Sequence, residues 1–406
     1  MSHPAPPTYV ETGTTSFIPI VVARGVRSFV DGLCLVALPT YLLANGANAA
    51  QVGAIITAAM LGSAIATVVV AHAARTRGTS PLLILASILM IATGLGFSLS
   101  TSIGLLFVIA IVGTLNTYAG DTSVFIPLEQ ASIATLTDDT SRPKAMARLD
   151  LVAVLSLAAG TACAGVINAC GEALGLSSTT ALRANFVLYA FGGLLVLVTY
   201  LRWRPPQWGT TTTTKIDRAT RSRVRTLSLL FSLDSLGSGF ASHAVIALWL
   251  YARFDLSPAV VGAVFSCTAI AAACSAQLSP LLVTRLGSIR TMVFTHIPSS
   301  LMLVGVALSP HISIALILFV ARGLTSRLDA PIRASFVMSI VPAEYRASAA
   351  AVTNVPRSFT AALPAAFAGW MIGRYEFAWP LIICAALKLT YDLLLLRTQT
   401  HVHGVE

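Results

Sequence analysis

Long apolar segments recur along the chain, and they constrain its fold more than any other feature does. About 20 apolar residues are enough for an α-helix to cross the hydrocarbon core of a bilayer. Twelve such spans are predicted, at approximately 17–43, 51–73, 81–101, 104–135, 146–170, 182–203, 226–251, 259–283, 291–309, 313–341, 348–372 and 377–396. Because a helix satisfies its own backbone hydrogen bonds inside lipid, the sequence predicts an all-α integral membrane protein with twelve transmembrane helices.

The charge content supports a membrane protein and gives it an orientation. Only 10% of residues are charged, whereas soluble domains carry roughly 25%. The formal charge of +10 comes mainly from basic residues in alternate connections between the spans, so we interpret it as a topology signal and not as a nucleic-acid-binding surface. The positive-inside rule places both termini and the loop 204–225 in the cytoplasm and predicts a multi-pass protein of the plasma membrane, the inner membrane in a bacterial cell.

Two internal repeats divide the chain into halves. Residues 51–78 align without a gap with residues 260–287, and residues 127–150 align with residues 331–354. Two matches in the same order indicate duplication and predict two pseudo-symmetric six-helix bundles. The predicted organisation is a cytoplasmic N-terminal tail, an N-terminal bundle, a basic cytoplasmic linker, a C-terminal bundle and a cytoplasmic C-terminal tail, at 1–16, 17–203, 204–225, 226–396 and 397–406.

The loop after span 2 and the loop after span 8 carry related motifs, AARTRGTS at 73–80 and VTRLGSIR at 283–290. With twelve spans in two halves, they make the chain resemble the major facilitator superfamily of secondary transporters. Gly78, Arg285 and Gly287 match the signature of that superfamily in these two loops. The chain departs from it where an aspartate is expected, because Arg75 and Thr284 stand there.

Two further segments narrow the resemblance. GDTSVFIPLEQA at 120–131 and SRLDAPIRASFVM at 326–338 are similar to a prokaryotic branch of superfamily exporters of mostly unassigned substrate. The glycine-rich GPxxGG pattern of drug/proton exchangers is missing from span 5. The resemblance therefore favours export and implies no particular substrate.

Charged residues recur inside four of the predicted spans. Arg24, Arg27 and Asp31 share one face of span 1, because residues three, four and seven apart lie together on a helix. The resemblance implies that spans 1, 4, 7 and 10 line a central cavity, and intramembrane ionisable residues mark solute and proton pathways. The predicted cavity residues are Arg24, Arg27, Asp31, Tyr118, Asp121, Glu129, Asp234, Arg322, Asp329 and Arg333. Under the repeat, Glu129 and Arg333 occupy equivalent positions.

A structural interpretation stands beside the functional one. The pairs Asp329–Arg333 and Lys388–Asp392 are four residues apart and could simply neutralise each other, and His243 and His296 could be hydrogen-bonded structural residues. The remaining residues singled out lie at predicted cytoplasmic ends, where anchoring or gating is expected: Gly78, Arg142, Arg148, Arg285, Gly287 and Arg346.

The leading functional hypothesis is a secondary active transporter that moves a small solute by alternating access, coupled to protons and directed outward. The alternatives are a non-transporting membrane sensor or scaffold, and a facilitator or importer of a metabolite. The motifs HExxH, GxSxG and GxxxxGK[ST] are absent from the sequence, so neither an enzyme nor ATP-driven pumping is expected. We expect no cofactor, no bound metal and a monomer in the bilayer. Anionic, zwitterionic, lipophilic and metalloid solutes all remain open.

Overall fold

The computed structural model describes residues 17–117, 123–137, 142–203, 218–329, 332–333, 336–337, 341, 346–375 and 377–402. Its first seven helices are α1 (Ile18–Ala44), α2 (Ala49–Arg77), α3 (Thr79–Leu99), α4 (Ile103–Val112), α5 (Phe125–Leu136), α6 (Arg142–Ala173) and α7 (Ser178–Arg202). Nine follow: α8 (Arg218–Phe240), α9 (His243–Phe254), α10 (Pro258–Ala276), α11 (Ser279–Leu286), α12 (Ser288–Leu308), α13 (Ile312–Ser326), α14 (Arg346–Ala362), α15 (Pro364–Arg374) and α16 (Trp379–Val402).

The helices confirm the all-α membrane fold. Eight helical stretches within the described ranges are long and apolar enough to cross a bilayer, and none of the described residues forms a strand. Large apolar side chains such as Leu99, Ile317 and Leu201 are exposed on the outside of the bundle, as expected where the surrounding solvent is lipid.

Several predicted spans are broken helices. The prediction of one continuous helix over 104–135 is wrong, because α4 ends at Val112 and α5 begins at Phe125. The backbone groups freed after Gly113 bind side chains of neighbouring helices: the Thr114 amide donates to Oγ1 of Thr93 at 3.2 Å, and the Tyr189 hydroxyl donates to the Thr114 carbonyl at 2.9 Å. Such replacement partners allow a helix to break at membrane depth.

Other spans differ from their predicted bounds for local reasons. Span 7 divides into α8 and α9, and the Ser242 side chain caps the start of α9 by accepting from the Val245 amide. Proline stands at the start of both α11 and α15, where its missing N–H costs no hydrogen bond. α8 begins at Arg218, so the last eight residues of the predicted linker are helical.

The glycines of the two loop motifs have a conformational role. Gly78 joins α2 to α3 with φ of 75°, and Gly287 joins α11 to α12 with φ of 79°. Residues with a Cβ rarely adopt this backbone conformation, whereas glycine does so without strain. The same sharp turn thus follows the second and the eighth predicted span.

Helices α1–α7 and α8–α16 form two groups, here called the N-group and the C-group, that meet along α2 with α14 and α15, along α6 with α10, and along α1 with α9. The contact is closest at one end of the molecule, where α1 and α6 end. There the Tyr251 hydroxyl donates to the Val36 carbonyl at 3.0 Å, and the Thr57 hydroxyl donates to the Ala362 carbonyl at 3.0 Å. Gly53 and Gly369 bring α2 and α15 together without intervening side chains.

Replacing Gly369 by leucine tests this close approach. A Cβ on Gly369 would lie 2.8 Å from the Cα atom of Gly53, and overpacking of this kind costs about 1–3 kcal/mol. We therefore expect Gly369→Leu to lower the thermal unfolding midpoint of the detergent-purified protein. The matched control is Gly104→Leu, because a Cβ at Gly104 meets no atom within 4 Å. Equal midpoints for the two variants would contradict the close contact between α2 and α15.

Candidate functional site

The N-group contains a sealed ion pair between α1 and α5. The Arg27 guanidinium lies 2.8 Å from Oε1 of Glu129, and both side chains are buried. The Tyr200 hydroxyl of α7 donates to the same carboxylate oxygen at 2.7 Å, and the guanidinium stacks over the Phe125 ring at 4.1 Å. Because both charges are enclosed and hydrogen-bonded to each other, removal of either one would take away the closest ionic partner of the other.

The other charges of α1 face a cavity. Arg24, Ser28 and Asp31 of α1, Asp150 of α6 and Arg327 after α13 all line it. Arg24 also lies 3.9 Å from Oε2 of Glu129, so its charge is shared between the sealed pair and the cavity. The cavity has a volume of about 10 Å³, which is room for about one water molecule.

An ion pair at this cavity joins the two groups. Arg327 of the C-group lies 3.8 Å from Oδ1 of Asp150 in the N-group. The Asp150 side chain is 59% exposed and the Arg327 side chain 26% exposed. An ion pair open to solvent contributes about 0–1 kcal/mol, so this contact can separate and reform at little cost.

The C-group contains a second buried ion cluster. The Asp234 carboxylate on α8 binds the Lys388 ammonium at 2.7 Å through Oδ1 and the Arg333 guanidinium at 3.1 Å through Oδ2. Arg333 also pairs with Asp329 and lies over the Phe231 ring, 5.3 Å from its centroid. These contacts join α8, α16 and the segment that follows α13.

A histidine extends this cluster to a third carboxylate. Nε2 of His296 on α12 lies 3.3 Å from Oδ2 of Asp329, and its Nδ1 lies 3.3 Å from Oδ1 of Asp392 on α16. All three side chains are buried, and Asp392 is fully enclosed. The C-group cluster therefore consists of His296, Asp234, Asp329, Arg333, Lys388 and Asp392.

The predicted cavity residues thus separate into distinct environments. Arg24 and Asp31 line the cavity, whereas Arg27 and Glu129 lie in the sealed N-group pair. Glu129 and Arg333 do not pair with each other, because each is bound to partners within its own group. Asp234, Asp329 and Arg333 belong to the C-group cluster, and Arg322 lies half-buried on α13. Tyr118 and Asp121 lie outside the described residues.

The predicted gating residues lie near helix ends. Gly78 and Gly287 form the two sharp turns, and Arg148 and Arg285 are exposed. Arg142 and Arg346 begin α6 and α14, and their side chains lie outside the described part of the structure.

Sequence reasoning missed several residues that the structure brings to these sites. Ser28 lies four residues after Arg24, a spacing that already puts it on the cavity face. Asp150 and Arg327 gave no signal, since their contact joins two helices far apart in sequence. His296 has a structural interpretation from sequence because it is a lone histidine in its span, and Lys388 and Asp392 have one because their spacing of four residues lets them neutralise each other. Among the described residues, no group of three or more histidine, cysteine or acidic side chains is arranged to hold a metal ion.

A family model and one curated relative match most of the chain. The protein-family model described as "Major Facilitator Superfamily" matches residues 20–234 and again residues 227–405. In Saccharomyces cerevisiae, the protein called uncharacterized membrane protein YJR124C is 23% identical over 401 residues, which cover 90% of this chain and 89% of that protein.

Solved structures share the fold. The D-xylose-proton symporter matches with a TM-score of 0.75 and 13% identity, covering 94% of this chain and 97% of that chain. A mutant of the nucleoside transporter NupG matches with a TM-score of 0.74 and 12% identity, covering 94% of this chain and 99% of that chain. At such low identity the likeness extends to the fold alone.

The sealed N-group pair can be tested by removing one partner and then both. We expect Arg27→Met to lower the free energy of unfolding by up to about 3–5 kcal/mol, because it removes the closest cation from the buried Glu129 carboxylate and leaves only the longer contact with Arg24 at 3.9 Å. The double variant Arg27→Met/Glu129→Leu should recover most of that loss. SDS titration of the purified protein measures both values, with Arg148→Met as the exposed control. A double variant no more stable than Arg27→Met would contradict the pairing.

Proposed function

The chain belongs to the Major Facilitator Superfamily, and we propose that it is a proton-coupled secondary transporter of a small zwitterionic solute. The family and the fold support secondary transport. The solute, the coupling ion and the direction are our proposal. The observation that carries the solute class is the set of charges that line the cavity between the N-group and the C-group.

Two positive and two negative side chains face that cavity. Arg24 and Arg327 offer guanidinium groups, and Asp31 and Asp150 offer carboxylates. Guanidinium groups hold carboxylates in a bidentate geometry, and a carboxylate holds an ammonium group. A solute with one negative and one positive group therefore satisfies both sides, whereas an apolar molecule would leave four charged groups desolvated.

The closest contacts between the N-group and the C-group suggest which state this is. They lie at the end where α1 finishes, which the positive-inside rule places on the outer face of the plasma membrane, with both termini in the cytoplasm. At the opposite end the cavity is closed by the solvent-exposed pair Arg327–Asp150. We infer an inward-directed, nearly closed state in which separation of this pair admits the solute from the cytoplasm.

Asp31 is the carboxylate of this cavity best placed to exchange a proton with the solute pathway. It lines the cavity on α1, and it accepts a long hydrogen bond of 3.5 Å from the Asn116 amide. Proton uptake by such a group and solute release from the neighbouring guanidinium can be coupled by charge balance. We assign the direction to export in exchange for protons, following the resemblance of residues 120–131 and 326–338 to prokaryotic exporters.

The domain organisation and the partners follow from the same proposal. The N-group and the C-group act as two six-helix bundles that rock about the cavity, joined by the linker that precedes α8. The bilayer, the solute and protons are the partners required, and a monomer is sufficient because one chain supplies both walls of the cavity.

Solute binding and flux test the function directly. Thermal-shift screening of the purified protein should use three matched panels: zwitterionic amino acids, monocarboxylates and monoamines. We expect the largest stabilisation within the zwitterion panel. A radiolabelled hit should then enter everted proteoliposomes faster when an imposed pH gradient makes their interior acidic. Stabilisation confined to one of the singly charged panels would contradict the solute class, and no flux for any hit would favour a sensor or scaffold.

Removing either kind of cavity charge should impair this flux. We expect Arg24→Gln and Asp31→Asn each to lower the initial rate at low solute concentration about tenfold or more, since a charge-assisted hydrogen bond contributes about 1.5–3 kcal/mol. The matched control is Asp255→Asn, because Asp255 caps α9 in a left-handed conformation that asparagine tolerates. Full activity of both cavity variants would place the solute elsewhere.

A further inference from the structure

We propose that His296, Asp329 and Asp392 form a proton-binding site in the C-group, separate from the solute cavity. This proposal deepens the proposed function by naming a site for the coupling ion, and it rests on proton coupling for its physiological meaning. The site itself is argued from geometry and charge. None of its three residues lines the cavity that contains Arg24 and Asp31.

The hydrogen-bonding chemistry of imidazole requires an added proton at this site. Each ring nitrogen of His296 faces a carboxylate oxygen at 3.3 Å, Nε2 towards Asp329 and Nδ1 towards Asp392. A neutral imidazole has one N–H donor and one bare acceptor nitrogen, and an ionised carboxylate can only accept. With His296 neutral and both acids ionised, one of the two contacts would place a lone pair against a lone pair. One added proton, on the imidazole or on a carboxylate, makes both contacts favourable.

The balance of charges in the C-group cluster also indicates one added proton. Asp234, Asp329 and Asp392 are three carboxylates, and Arg333 and Lys388 are two cations bound to them. With the imidazole neutral, the set therefore carries one negative charge that its members leave uncompensated. A single proton on the three-residue site brings the whole cluster to neutrality, which the apolar interior of a membrane protein strongly favours.

Burial indicates that the uncompensated negative charge is that of Asp392. Its carboxylate is 0% exposed, and within the described residues neither of its oxygens has a hydrogen-bond donor at good geometry, so its contact is the ion pair with His296. A carboxylate enclosed in this way cannot remain ionised without a cation beside it. Protonation of the His296–Asp392 contact supplies either the cation or the neutral acid.

The groups around His296 come from four parts of the C-group. α16 contributes Lys388, Tyr391 and Asp392, the segment after α13 contributes Asp329 and Arg333, and α8 contributes Asp234 through its contacts with Arg333 and Lys388. α13 itself carries Arg322, which is half-buried and is not one of the six residues of the C-group cluster. The proton is therefore held by a balanced set of charges and not by one neighbour.

Loss of the proton would be transmitted to α8. Lys388 and Asp392 are one helical turn apart on α16, the spacing at which opposite charges meet. Once Asp392 is ionised and His296 neutral, Asp392 competes with Asp234 for the Lys388 ammonium. Withdrawal of Lys388 leaves Oδ1 of Asp234 unpaired and weakens the tie between α16 and α8. Protonation thus stabilises the packed C-group, and deprotonation loosens it.

Spectroscopy of the full-length protein tests the site without a known solute. In nanodiscs, nitrogen-15 labelling of histidine reports whether each ring nitrogen carries a proton, and His296→Gln identifies the signal. We expect either an imidazolium at His296 above about pH 7.5, where a free imidazole is neutral, or a protonated-carboxyl infrared band. Asp392→Asn should abolish that signature, because its amide can donate to a neutral His296. His243→Gln is the control, since His243 packs edge-on against Phe265.

A second measurement covers variants that fold poorly. A folded state that holds a proton which the unfolded chain releases loses stability as the pH rises. The thermal midpoint of the wild-type protein should therefore fall as the pH rises above about 6.5, the pKa of an imidazole in the unfolded chain, and Asp392→Asn should flatten this slope while His243→Gln keeps it. A neutral His296 with no protonated carboxyl, or an unchanged slope in Asp392→Asn, would overturn the site.

The failures of the two proposals can be told apart. If the flux of a zwitterionic amino acid does not change with an imposed pH gradient, proton coupling is refuted and the chemistry of the site is unaffected. A neutral His296 site together with gradient-driven flux would refute this site and leave the transporter in place. In that case Asp31 is the remaining carboxylate of the solute cavity on α1 through which protons could act.

Discussion

The cost of placing charge at membrane depth organises this molecule. A charged side chain in the hydrocarbon region costs a few kcal/mol or more, so each one requires a partner or a path to water. The structure meets this requirement in two ways. Arg27 with Glu129, and Asp234 with Arg333, are enclosed and satisfied within one group of helices, whereas Arg24 and Asp31 face a cavity. The same constraint thus separates the charges that hold the helices together from those that face the cavity.

The two sealed clusters are related with their charges reversed. In the N-group a cation on the first span binds an anion on the fourth, as Arg27 binds Glu129; in the C-group an anion on span 7 binds a cation on span 10, as Asp234 binds Arg333. Each pair joins helices of the same group. The C-group adds His296, Lys388 and Asp392, and only there do the acids outnumber the permanent cations. Under the predicted duplication, the two ties occupy equivalent positions and differ in their chemistry.

The sequence predicted the fold well and the site in part, for reasons that lie in the range of the interactions. The length of the apolar segments and the i, i+3, i+7 stripe of span 1 are local, so the helices and the shared face of Arg24, Arg27 and Asp31 could be predicted. The break after Gly113 could not, because it depends on Thr93 and Tyr189 from other helices. Likewise, no spacing shows that His296 lies between Asp329 and Asp392, since three separate parts of the chain bring them together.

The distribution of strong and weak contacts suits a molecule whose halves must move. Removing one partner of a buried ion pair costs about 3–5 kcal/mol, and such pairs lie inside each group, where rigidity is useful. Between the groups, the ion pair Arg327–Asp150 is solvent-exposed and contributes about 0–1 kcal/mol. At the closed end the contact relies on small residues, such as Gly53 against Gly369, which pack closely without interlocking side chains. Rigid bundles joined by contacts of this kind can separate and close again without breaking a buried charge pair, which is the physical requirement for alternating access.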